Sequence, residues 1–177
     1  MSVKNGAHIR QGTATDTPAI EALYPAAFPE EDLLPLVSDL LDDPANTVSL
    51  VAESDAGVVG NIIFTFGSEA DSGVQIALLG PLAVAPTVHG QGHGSALVRA
   101  GLARIQASGA EMVCVLGDPN YYGRFGFEPE RGVQPPYALP TEWLDAWQST
   151  RAPAGSAPAS GTLTLPEYWL RPELWLP

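Results

Sequence analysis

The residues best suited to chemistry lie in His89-Gly90-Gln91-Gly92-His93-Gly94-Ser95, where glycine occupies every second position. Alternating glycines let a backbone approach a ligand closely and aim successive N–H groups at one point. A helix starting directly after such a loop adds free amides and a partial positive charge. The run therefore reads as a cradle for a phosphate or pyrophosphate, with the amides of Gly90 to Ser95 as donors.

Such a loop must be held by a strand before it and a helix after it. Val74 to Val84 is apolar throughout and reads as a central strand. Gly80-Pro81 inside it weakens a ladder and removes a donor, which predicts a bulge or splay. Ser95 to Ser108 reads as a helix with Val98, Leu102 and Ile105 inward, Gly101 allowing close contact with the sheet, and Gly109 just past its end. Glu111 to Leu116 is another continuous apolar strand. Gly117-Asp118-Pro119 ends it, with Asp118 either capping the short helix that follows or reaching toward a bound ligand, and Asn120 to Phe127 follows as about two helical turns and a strand start.

Upstream, Ala7 to Thr13 reads as a strand. Asp16 or Thr17 caps a helix carrying Pro18 in its first turn and an apolar face of Ile20, Leu23, Tyr24 and Ala27, limited by Pro25 and Pro29. Glu30, Glu31 and Asp32 precede a second helix with Leu33, Leu34, Val37, Leu40 and Leu41 inward. These acids either complement that helix's dipole or line an amine-binding cleft. Asp42 to Asn46 is a turn, Thr47 to Glu53 a strand, Ser54 to Gly57 a hairpin turn, Val58 to Phe66 the return strand, and Gly67 to Gly73 a polar connection. Downstream, Thr141 caps a short helix reaching Trp147, Ala152 to Gly161 is a small-residue loop, Gly161 to Leu165 a strand, and Glu167 to Leu170 a turn. Trp143, Trp147, Trp169 and Trp175 read as packing residues.

At 177 residues the chain supports one substantial core. The expectation is a single domain over 1–177, with a core of about 7–130 and a Pro/Trp-rich extension over 131–177. Net charge is −12 and the pI is near 4.4, which argues against nucleic acid or an anionic membrane as partner. From Gln11 to Val98 there is no Lys or Arg. An anion at the loop must therefore rely on backbone amides, helped by Arg99, Arg104 or Arg124. The acidity serves either solubility or attraction of a cationic substrate. Cys114, the single cysteine, lies in the apolar run Met112-Val-Cys-Val-Leu116 and reads as core. With no intrachain disulfide and no apolar signal region in Met1 to Gly6, a cytoplasmic location is expected.

A dinucleotide fingerprint needs G-x-G-x-x-G, and the third required position here is Ser95. A Walker A loop needs Gly-Lys-Ser/Thr, and no lysine is near. The arrangement instead resembles the GNAT N-acetyltransferase superfamily, whose motif is L-x-V-x-P, then Q/R-x-x-G-x-G/A opening a helix. Here those parts are Leu82-Ala83-Val84-Ala85-Pro86 and His89-Gly90-Gln91-Gly92-His93-Gly94. A second landmark, F-Y-x-x-x-G-F, is matched by Tyr121-Tyr122-Gly123-Arg124-Phe125-Gly126-Phe127, and Gly117 to Phe127 is similar to a bacterial YhbS-like subgroup. The resemblance covers roughly residues 8–130. His89 departs from it, standing where Gln or Arg is usual, and a side-chain contact from His89 to pyrophosphate would need the protonated ring.

The resemblance implies an α/β (α+β) GNAT fold: a central mixed, mostly antiparallel sheet, splayed between its fourth and fifth strands and flanked by helices. It implies acetyl-CoA as co-substrate, no metal, and transfer of acetyl to a primary amine attacking the thioester directly. Backbone groups of Leu82, Ala83 and Val84 would hold the pantetheine arm and polarise the carbonyl. Residues His89 to Ser95 would hold the pyrophosphate, and Asn120 would touch the pantetheine arm. Tyr122 would be the general acid for the departing thiolate; a phenol near pKa ~10 suits a thiolate whose conjugate acid lies near ~8.5. The general base stays open among Glu53, Glu30, Glu31 and a carboxylate-bound water. The acceptor, a cationic amine on charge grounds, is a small molecule or a protein lysine. Many relatives are dimers, so a homodimer is the associated expectation. The alternatives are a non-catalytic acetyl-CoA sensor on the same fold and a nucleotide-binding oxidoreductase.

Overall fold

The computed structural model describes residues 7–152 and 160–176. The signal-peptide reading of Met1 to Gly6, and most of the small-residue loop before Gly161, fall outside the described residues. Within them the chain divides into two compact units. One takes the residues up to Phe64 together with Gly80–Ala103, and the other takes Thr65–Leu79 and the residues from Arg104 onward.

The first unit opens with β1 (His8–Gln11), paired antiparallel with β2 (Thr47–Ser54) from His8↔Glu53 to Gln11↔Leu50. Between them lie α1 (Thr17–Ala27) and α2 (Leu34–Leu41). Asp16 does sit at the N-cap of α1, ahead of Pro18. Its carboxylate is spent elsewhere: Oδ2 accepts from the Thr13 amide at 2.7 Å, and both oxygens accept from Arg10 at 2.8 Å. Arg10 also donates to Glu53 at 2.9 Å, so this triad ties α1's entry to the β1–β2 pair. Ile20, Leu23 and Tyr24 of α1 pack with Val37 of α2, Val51 of β2 and Ala83 in one buried cluster. The Tyr24 hydroxyl donates to Asn61 Oδ1 at 2.6 Å, and Asn61 Nδ2 donates to Ser49 Oγ and the Leu50 carbonyl, which satisfies a polar pair inside the core.

Two further strands thread both units: β3 (Gly57–Glu69) and β4 (Gln75–Val84). The polar stretch read as a connection from Gly67 is thus partly strand. It pairs antiparallel with β9 (Gly161–Thr164) through Ser68↔Thr164 and Glu69↔Leu163, a partner distant in sequence. After β4 comes α3 (His93–Ala107), which starts two residues earlier than Ser95. Its buried face carries Leu97, Val98 and Ile105, with Leu102 only half-buried.

In the second unit β5 (Met112–Leu116) runs parallel to the start of β4, from Ile76↔Met112 to Leu79↔Val115. It then pairs antiparallel with β8 (Trp147–Arg151), which in turn pairs with β6 (Glu128–Pro129). The strand order is β1-β2-β3-β4-β5-β8-β6, with β9 joining β3 to β7 (Val133–Gln134). The sheet is therefore mixed and mostly antiparallel, with α1, α2 and α3 flanking it. The 131–177 segment, expected as an extension, contributes β7, β8 and β9. It also buries Trp147, Trp169 and Trp175, whose indole N–H groups donate to Val133 O, Thr65 Oγ1 and Trp169 O. Trp143 is only half-buried.

Candidate active site

The parallel register of β4 and β5 stops at Leu79↔Val115, while β4 continues through Gly80–Val84. Gly80 has φ 149° and its bond to Pro81 is cis. The ladder therefore ends where the sequence placed its splay, and the backbone of Leu82, Ala83 and Val84 lies beyond the paired segment. Ala83 is buried, whereas Leu82 and Val84 are half-buried.

A short 3-10 turn (Pro86–Val88) leads from β4 to the glycine loop. Gly90 and Gly92 hold φ 78° and 87°, left-handed conformations that only glycine adopts readily, with open space where a Cβ would stand. The Gly92 carbonyl accepts the first α3 bond, from the Ala96 amide at 3.0 Å. The amides of Gly92, His93, Gly94 and Ser95 thus form the first turn, whose N–H groups have no intrahelical partner. Free N–H groups with a helix dipole behind them can attract an anion.

His93 is 2 % exposed, and its Nδ1 has no hydrogen-bond partner, alone among buried side-chain atoms of the described residues. An orphaned buried nitrogen costs about 1–3 kcal/mol. The burial of His93 had no signal in the sequence, where it reads as part of the glycine loop. His89 ends the 3-10 turn and is exposed. Its Nε2 lies 2.8 Å from the Val84 carbonyl, so the ring closes the turn between β4 and the loop.

Leu82, Ala83, Val84 and the residues from His89 to Ser95 belong to the first unit; Asn120 and Tyr122 belong to the second. There α4 (Pro119–Tyr122) runs into a 3-10 turn, Gly123–Phe125. Asp118 Oδ1 accepts from the Asn120 amide at 2.9 Å, so Asp118 is the expected cap. The Asn120 residue itself is exposed. The Tyr122 ring is held edge-on by Tyr121 at 5.0 Å and Phe127 at 5.7 Å between centroids. Burial, and then the neighbouring Tyr121, push its phenol well above the ordinary tyrosine range, which keeps it protonated. Arg124 stacks on Tyr121 at 4.6 Å and Phe125 at 5.3 Å.

Of the candidate bases, Glu53 is engaged by Arg10, whose hydrogen bond holds that carboxyl below the usual range and makes it a poorer base. Glu30, Glu31 and Asp32 do not sit in α2's first turn, which begins after Leu33 with no acid in it. Together with Phe28, Pro29 and Leu34 they line a cavity of about 300 Å³ in the first unit.

The family model described as the GNAT acetyltransferase domain matches residues 45–129. The chain is 36% identical over 141 residues to an uncharacterised N-acetyltransferase, YjhQ, of Escherichia coli K12, covering 75% of this chain and 77% of that protein. It belongs to the GNAT family of acetyltransferases. The crystal structure of the GNAT enzyme YhbS of Escherichia coli, in complex with CoA, has a TM-score of 0.84 at 32% identity over 97% of this chain and 96% of that one. A GNAT acetyltransferase of Brucella melitensis, in complex with acetyl-CoA, has a TM-score of 0.74 at 28% identity, covering 93% and 99%. No helix among the described residues is long and apolar enough to cross a membrane.

Proposed function

We propose that this acetyltransferase moves the acetyl group of acetyl-CoA to a primary amine by direct attack. The observation that carries the reading is the first turn of α3, where glycines at φ 78° and 87° precede unused amides and the orphaned Nδ1 of His93. In this reading the diphosphate lies on the amides of Gly90 to Ser95, and the pantetheine arm follows the backbone of Leu82 to Val84. The amine nitrogen bonds to the carbonyl carbon, the carbon–sulfur bond breaks, and the thiolate takes a proton from Tyr122. The proton lost by the amine passes to water or a carboxylate.

The acceptor in this reading is a cationic amine. The absence of Lys and Arg from Gln11 to Val98 supports it, as does the cavity where Glu30, Glu31 and Asp32 meet the apolar Phe28 and Leu34. CoA release from acetyl-CoA in the presence of polyamines, aminoglycosides, lysine peptides and anionic amino acids tests the whole reading. Turnover with cationic amines is expected. Turnover with none of these amines, or with the anionic ones alone, overturns it.

A further inference from the structure

Gly117 closes β5's exit directly before the Asp118 cap, and its φ lies outside the left-handed region, so backbone freedom is not what calls for glycine here. Space is. A Cβ built at Gly117 would collide with Cε2 of the Tyr122 ring and would lie 2.9 Å from its Cδ2. Real Cβ atoms do not approach ring carbons this closely, so one of the two partners must yield.

The Gly117 backbone is pinned on both sides. Its amide donates to the Ala146 carbonyl at 2.9 Å, and its carbonyl accepts from Gln148 Nε2 at 3.0 Å; Gln148 is 1 % exposed in β8. The ring is also confined, by Tyr121 and Phe127 edge-on and by Phe125 at 6.5 Å. Tyr121 and Phe125 are in turn capped by the Arg124 guanidinium, whose Nε donates to the Tyr121 carbonyl. The ring therefore rests in a slot whose floor is the bare Cα of Gly117. A phenol oxygen lies at the far end of its ring, so a small tilt at the floor becomes a larger displacement of the hydroxyl.

We propose that Gly117 is a positioning residue, its missing side chain setting where the Tyr122 hydroxyl sits. The catalytic part of this statement rests on the reading of Tyr122 as general acid; the placement part does not. Gly123 serves as the control glycine, since nothing lies within 4 Å of a Cβ there.

The test uses the full chain carrying ring-labelled tyrosine, with the Tyr122 NMR signal identified by its loss in Tyr122→Phe. Gly117→Ala is expected to move that signal, and Gly123→Ala to leave it in place. Gly117→Ala is also expected to lower the melting temperature, and to have no such effect in the Tyr122→Ala background, where the methyl has room. This coupling is measurable even if Gly117→Ala folds poorly. With an amine from the acceptor panel, Gly117→Ala is expected to lower kcat about 10²-fold with KM for acetyl-CoA within about twofold, and to cost nothing further in Tyr122→Phe. An unmoved Tyr122 signal, or an equal melting loss in the Tyr122→Ala background, overturns the placement. Unchanged turnover in Tyr122→Phe, read with Gly117 intact, instead overturns the general-acid reading on which the catalytic part depends.

Discussion

The Nε2 of His89 lies 2.8 Å from the carbonyl oxygen of Val84, bridging the end of β4 and the start of the glycine loop. Since a carbonyl can only accept, Nε2 carries the proton in this contact. The ring therefore ties the start of the loop to the end of β4. A hydrogen bond of this kind contributes about 0.5–1.5 kcal/mol. His89→Ala is expected to weaken acetyl-CoA about 2–10-fold in calorimetry, with kcat little changed. A loss well beyond 100-fold would mean that the ring touches the phosphates directly.

His93 presents a different case, a polar atom left unsatisfied inside the fold. Its Nδ1 is buried without a partner. Replacing such a group by an apolar one of similar size is neutral or stabilising. His93→Leu is expected to raise the melting temperature of the ligand-free protein by about 2–4 °C, as about 1 kcal/mol does for a chain of this size. The further rise on adding CoA should shrink. A lower melting temperature without ligand would show that the orphan reading is wrong.

How far the sequence carried these conclusions depended on how local the cause was. The glycine loop and α3 follow from neighbouring residues: open turns, then a helical period, with the start displaced only from Ser95 to His93. The cap at Asp118 is likewise local. β8 was not legible. The stretch capped by Thr141 reads as a helix through Trp147, whereas a 3-10 turn ends at Ala146 and Trp147 opens a strand. That strand exists because β5 and β6 flank it, from Met112↔Arg151 to Leu116↔Trp147 on one side and at Glu128 and Pro129 on the other. The burial of His93 was hidden for the same reason, since it depends on what packs around it.

Gly92 tests the cradle's backbone without touching its side chains. Its φ of 87° penalises any other residue, while a methyl group there meets nothing within 4 Å. The cost of Gly92→Ala is then conformational, about 1–2 kcal/mol. The loop can relieve it by leaving the left-handed conformation, which turns its amides away. Gly92→Ala is expected to lose about tenfold in acetyl-CoA affinity, with only a small fall in melting temperature. Equal affinity would remove the loop amides from the binding account.

Tyr122→Phe removes the proposed acid while keeping the ring in its slot. General acids contribute typically 10²–10⁴-fold, and a fall in kcat of that order is expected with KM for acetyl-CoA nearly constant. Because burial pushes the phenol above its ordinary value near 10, its deprotonation should not cause an alkaline fall in kcat up to about pH 10. A wild-type fall below pH 9 that vanishes in Tyr122→Phe would contradict the depth of that shift.

The Arg10–Asp16–Glu53 triad sets a stability prediction at the acid end. Hydrogen bonds from Arg10, the largest influence, hold the Asp16 carboxyl far below the usual carboxylate range despite the opposing effect of burial, and the Thr13 amide adds to this. Arg10 likewise lowers Glu53. A carboxylate depressed in the folded state stabilises above its unfolded pKa, near ~3.9 for Asp, and loses that contribution as pH falls toward the folded value. Wild-type stability should therefore decline from about pH 5 downward. Asp16→Asn removes both the ionised partner and its titration, so at pH 7 it should cost about 1.5–3 kcal/mol, the range for a hydrogen bond to a charged group. Between pH 5 and pH 3 its urea midpoint should fall less than that of wild type. Parallel acid limbs in the two proteins would mean that other carboxylates govern the decline; Glu130 is the next to test. Burial opposes its charge, but hydrogen bonds from Ser149, Val133 and Gly132 and the nearby Arg151 hold its carboxyl below the usual range.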